Sequence, residues 1–170
     1  SWGALLLLSF VTVLYARAVR ILDRRGVRVG HWQQAAWYGG LALMALALFS
    51  PLDRWSDELM VAHMAQHLII ADLAAPLMLT GLRAPVLLFF LPRSVLVTLA
   101  RRPALRRLSV LRRPLPAIAI YVTLLYAWHF DALFTAALRS DLVHGLQHQS
   151  FIVGSLLVWW AALEPQRRRM

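Results

Sequence analysis

Five uninterrupted apolar stretches of near-spanning length divide this chain, with arginines gathered between them. A backbone in hydrocarbon must satisfy its N–H and C=O groups internally, which leaves helices or closed barrels. The runs are continuous and do not alternate with a period of two, so the barrel is excluded. Composition supports this at one point: at 60% hydrophobic and 15% charged, with mean hydropathy +0.61, a soluble domain of 170 residues would be exceptional. The expected fold is an all-α polytopic membrane protein, with residues 1–170 as a single transmembrane helical bundle domain.

The first run extends from about Trp2 to Ile21 and ends among Arg17, Arg20, Arg24, Arg25 and Arg28. It lacks the small-residue cleavage pattern of a signal peptide and reads as a span. The second covers Gln33 to Phe49 and is closed by Ser50-Pro51, a turn signal. Asp53, Asp57 and Glu58 form a short acidic stretch, with Ser56 as the expected N-cap of the third span, Leu59 to Leu82. Pro85 to Ala100 is apolar but broken at Pro92-Arg93, and an Arg-rich region follows through Arg113. With Arg93, Arg101, Arg102, Arg106 and Arg107 facing anionic head groups, it reads as an interfacial or re-entrant helix on membrane lipids. Leu115 to His129 and Leu142 to Leu163 complete about five crossings, with Trp159-Trp160 at an interface and Arg167 to Arg169 beyond it.

The charge fixes an orientation. Net charge is +10, from 18 Arg and no Lys. The loop from Arg17 to Arg28, the segment from Arg83 to Arg113 and the tail Arg167 to Arg169 are basic and therefore expected in the cytoplasm. The stretches around Asp53 to Glu58 and Phe130 to Asp141 carry an acidic excess and are expected outside. Charge distributed in this way argues against a nucleic-acid partner. The absence of Cys excludes disulfides, thiolate metal sites and Cys nucleophiles.

Against that apolar background the histidines stand out. His63/His67 and His144/His148 are spaced by four residues, and His129 ends a span. An intramembrane imidazole is costly and marks a functional site by default, although a single one more often serves as a hydrogen-bond partner between helices. On the expected topology, all five belong to the outer half of the bundle. Counting at 1.5 Å per residue, His63 and His67 lie roughly 9 and 15 Å below Asp57. Residues four apart stack on one helix face and can converge on one ion. Met60 and Met64 share that stripe, and a mixture of thioether and imidazole without thiolate suits copper. Met60 and Met64 taken alone are ordinary packing residues. Gln66 and Gln147 are placed to orient an imidazole through its second nitrogen. Asp72 lies about 140° around the helix from His67 at a 3.6-residue period and is expected to pair elsewhere. Asp131 is a weak ligand candidate that can instead cap a short helix over Ala132 to Leu138, and His31 reads as an interfacial residue.

Ser50-Pro51-Leu52-Asp53, Ser56-Asp57 and Ala62-His63-Met64-x-Gln66-His67-Leu68 together resemble the CtaG-like assembly factors of caa-type cytochrome c oxidase. So do Trp128-His129 with Ala132-Leu133 and Ala136-Ala137-Leu138, and His144-xxx-His148 with Ser150-Phe151 and Trp159-Trp160. The likeness runs from about Arg17 to Trp160 in order. It departs at Asp131, where the family commonly has Pro, and at Phe134, where it commonly has Tyr. The resemblance implies a multi-pass protein of the bacterial inner membrane that assists oxidase assembly, with copper delivery the usual proposal. Carried over by position, His63, His67, His129, His144 and His148 are its candidate metal residues. The family usually has about two more spans, which would follow Met170; the chain is then a piece of a seven-helix protein or a shortened member. Ser1 in place of an initiator Met also suggests a longer protein.

The leading expectation is therefore a copper-handling assembly factor acting on a cytochrome c oxidase subunit, and not an enzyme. The alternative is a haem-binding membrane protein using the same histidines as axial ligands. A third reading is a scaffold whose histidines only bond between helices. No nucleophile–base pair, phosphate-binding Gly-rich loop or paired carboxylates suggest a hydrolase or transferase.

Overall fold

The computed structural model of the protein describes residues 2–101, 110 and 113–163. It divides into two compact units, Ser1–Arg107 and Leu108–Met170. Among the described residues every extended element is helical. The Arg-rich stretch around Arg102, Arg106 and Arg107 and the tail Arg167 to Arg169 lie outside the described residues.

In the first unit, α1 spans Trp2–Arg24 and α2 spans His31–Phe49. The short α3 covers Pro51–Glu58, and α4 runs over Met60–Gly81. Two further pieces follow, α5 at Leu87–Phe90 and α6 at Arg93–Arg101. They break at Pro92, as the sequence suggested.

Ser50 does more than end α2. Its N–H donates to the Leu46 carbonyl, closing α2. Its Oγ accepts from the Leu52 N–H at 3.1 Å, capping α3, with Pro51 pre-set at the first helical position. The acidic stretch is thus a helix, and the expected N-cap, Ser56, lies inside it with Oγ donating to the Asp53 carbonyl. Extended Leu59 (φ −121°, ψ 116°) separates α3 from α4. Depth along α4 therefore counts from Met60, which puts His63 and His67 roughly 4.5 and 10.5 Å along it.

Within α4, Ile69–Ala74 is π-helical, with the Ala75 N–H donating to the Ile70 carbonyl. The cause lies just downstream. Pro76 has no N–H for the Asp72 carbonyl and its ring presses on that group, and a wider turn absorbs the conflict. Each residue of a π turn advances by a smaller angle. Asp72 consequently lies less far round from His67 than the about 140° of a regular period.

α2 and α4 run antiparallel with their backbones close. A Cβ on Gly40 would meet the Met78 Cγ at 2.6 Å and the Ala74 carbonyl oxygen at 2.8 Å; one on Gly81 would meet the Trp37 Cβ at 2.6 Å. Small residues permit such an approach where apolar association alone drives nothing in lipid. Two glutamines fasten the pair at opposite ends. Gln33, in the first turn of α2, donates to the carbonyls of Gly81 (3.1 Å) and Arg83 (2.8 Å). Gln66, early in α4, donates to the Ala47 carbonyl at 2.8 Å. The Ala47 and Gly81 carbonyls lie in last turns that leave them open, whereas Arg83 stands just past α4 and also accepts from the Val86 N–H. Nearer the other end of the unit, Tyr15, Ala18, Leu22, Val29, Trp37 and Val86 form a buried core, in which Tyr15 and Trp37 stack with ring centroids 4.4 Å apart. The face of α1 bearing Trp2, Leu6, Phe10 and Val13 stays exposed, as a lipid-facing helix requires.

In the second unit, α7 spans Pro114–Trp128, α8 spans Asp131–Arg139 and α9 spans Asp141–Leu163. Pro114 starts α7 where its missing N–H costs nothing. α7 and α8 meet at a bend of 71°. Gly154 on α9 lets Tyr121 of α7 approach to 2.9 Å of the position its Cβ would take.

Among the described residues, two helices qualify as membrane spans by length and composition, Trp2–Arg24 and Met60–Gly81, and a third if α7 and α8 form one bent span.

Candidate metal centre

α4 carries its first two imidazoles on one face. His63 and His67 are four residues apart, and their Nε2 atoms are 2.9 Å apart with ring centroids at 4.5 Å. His67 is buried and His63 partly so. α9 repeats the arrangement: His144 and His148 bring their Nε2 atoms to 3.0 Å, again with centroids at 4.5 Å. Each of the four histidines can offer a ring nitrogen to a metal ion.

The geometry has a definite chemical meaning. Within each pair, one Nε2 donates and the other accepts, since a neutral imidazole carries a single N–H. A metal ion would need both lone pairs and would take the place of the shared proton, which would then sit on Nδ1 of the donor ring. Imidazole nitrogens with no thiolate beside them would suit copper, zinc, iron or nickel.

His129 stands differently. It is exposed at the C-terminus of α7, with Nδ1 2.6 Å from the Leu125 carbonyl oxygen. A carbonyl can only accept, so Nδ1 carries the proton and Nε2 holds the lone pair. That is the tautomer a ligand would need. Met60 is largely exposed on the first turn of α4 and Met64 partly buried a turn later. His31 is exposed at the start of α2, as expected.

The expected partner of Gln66 is corrected. Its amide donates to the Ala47 carbonyl and to Asp53 Oδ1 at 2.9 Å, not to an imidazole. The side chain beside His67 therefore ties α4 to α2 and α3. In the second unit, Trp128 Nε1 donates to Ser150 Oγ at 2.7 Å, and Ser150 Oγ donates to the Gln147 carbonyl at 2.8 Å. That chain joins α7 to α9 beside His129 and His148. Sequence reasoning missed both ties; a lone Ser or Asp beside a polar residue of an apolar helix was the available signal.

Residues 13–170, nearly the whole chain, match the family model of the cytochrome c oxidase caa3 assembly factor (Caa3_CtaG). The chain belongs to that family. No curated protein and no solved structure matches it. Membership as a caa3 assembly factor agrees with the resemblance drawn from the residues and with the helical, apolar architecture.

Proposed function

We propose that this caa3 assembly factor binds copper through its histidine pairs and delivers it to a cytochrome c oxidase subunit, without itself being an enzyme. One observation carries the reading: two separate helices present the same i, i+4 pair, with Nε2 separations of 2.9 and 3.0 Å. His129 and the thioethers of Met60 and Met64 complete the proposed metal-handling residues. A pair supplies two ligands and leaves positions open for exchange, which suits delivery better than a closed structural site.

The haem alternative would take one imidazole from each of two adjacent helices as axial ligands.

The proposal includes the topology of five crossings. α2 at 19 residues and α9 at 23 are each long enough for a bilayer core of about 30 Å. The arginine distribution then sets the pairs toward the extracytoplasmic side of a bacterial inner membrane.

The test is the protein purified in detergent, loaded with copper and assayed by elemental analysis, alongside His63→Ala and His148→Ala. The expected result is copper bound by the wild type and reduced in each variant. Wild-type protein free of copper, variants that bind equally well, or a Soret band from supplied haem would overturn the reading.

A further inference from the structure

Gln66 is the immediate neighbour of His67, and its side chain is buried at 2% exposure. Both amide hydrogens are committed, one to the Ala47 carbonyl on α2 and one to Asp53 Oδ1 on α3. Asp53 is the third residue of α3, where a carboxylate would ordinarily turn back to its own helix terminus. Here it reaches across to α4. The helix bearing His63 and His67 is therefore fastened to two neighbours one residue from the pair. Gln33 makes the matching attachment at the opposite end of α2 and α4. An antiparallel pair held at one end can slide or twist; held at both, its register is fixed.

We propose that Gln66, with Asp53 as its second acceptor, is a positioning residue that sets where the His63–His67 pair stands. It acts through the helix, holding the backbone that presents both rings. The inference rests on the copper reading for its functional consequence, but the positioning itself can be measured without metal.

Two measurements separate these. The chain has no Cys, so spin labels can be attached at Leu46→Cys on α2 and Val61→Cys on α4, both exposed positions. In metal-free protein, Gln66→Leu and Asp53→Ala are expected to broaden or shift the inter-label distance, while Asp53→Asn, which keeps an acceptor oxygen, leaves it as in the parent. Asp53 is exposed, so its variants test the tie even where Gln66→Leu fails to fold. An identical distance distribution in parent, Asp53→Ala and Asp53→Asn would overturn the proposal. The second measurement is copper affinity and the Cu(II) spectrum. Gln66→Leu and Asp53→Ala are expected to weaken binding by about tenfold and alter the spectrum, at the lower end of what loss of an outer partner costs. Asp53→Asn is expected to match wild type in both. Copper bound by all variants with unchanged affinity and spectrum also counts against the proposal. Wild type that takes no copper instead removes the copper reading, leaving the label distances to decide the positioning.

Discussion

The Nε2 atoms of His63 and His67 stand 2.9 Å apart, close enough that one proton joins them and one metal ion can replace it. Removing either ring destroys the bite. His67→Ala should weaken copper binding by more than the roughly 10–100-fold typical of losing an outer partner. His31→Ala, at the exposed start of α2, should leave it unchanged. Titration of copper against a competing chelator checks both. One copper per chain, lost on changing either pair, would mean that the pairs act on one ion; two would mean that each acts alone.

Acid should release the metal. Ligating imidazoles must be neutral, so protons compete with the ion for the Nε2 lone pairs and affinity falls as pH is lowered. The sign is fixed by charge: an imidazolium has no lone pair to give. Repeating the chelator titration at descending pH measures it, and a pH-independent affinity would point to ligands other than histidine.

The close approach of α2 and α4 should tolerate no added carbon. Gly81→Ala places a Cβ 2.6 Å from the Trp37 Cβ and 2.8 Å from its Cα, and Gly40→Ala presses on the Ala74 carbonyl. Each is expected to destabilise the protein by about 1–3 kcal/mol, the cost of overpacking. Gly3→Ala meets nothing within 4 Å and serves as the control. Reversible unfolding in detergent reads the difference.

Trp128 and Ser150 should be coupled. Trp128→Phe and Ser150→Ala each break the 2.7 Å bond, so the double variant should cost less than the two singles together. A coupling of about 0.6–1.7 kcal/mol is expected for a bond between membrane helices. Strict additivity in a double-mutant unfolding cycle would show that the bond contributes nothing.

The sequence made the long helices legible because apolar length and flanking arginine are local properties. Trp2–Arg24 and Met60–Gly81 both fall within a few residues of their expected limits. The histidine pairs were legible for the same reason, since an i, i+4 spacing needs only the helix that carries it. α3 was not. Ser50-Pro51 reads equally well as the end of α2 or the start of another helix, and the chain uses it for both. The π turn was also hidden, because Pro76 announces a conflict without saying which turn absorbs it. Gln66 was assigned to an imidazole because its neighbours in sequence are histidines. Its partners, Ala47 and Asp53, lie 19 and 13 residues away and become neighbours only on folding.

Fastening an antiparallel couple at its two extremities restrains more than one motion. Axial slippage of α2 past α4 would break bonds at Gln33 and Gln66 simultaneously, and rocking about the mid-helix Gly40 contact would swing those same two ends out of reach of each other. Whatever rearrangement accompanies uptake or release, the couple is thus expected to travel as one body, carrying the rings of α4 with it.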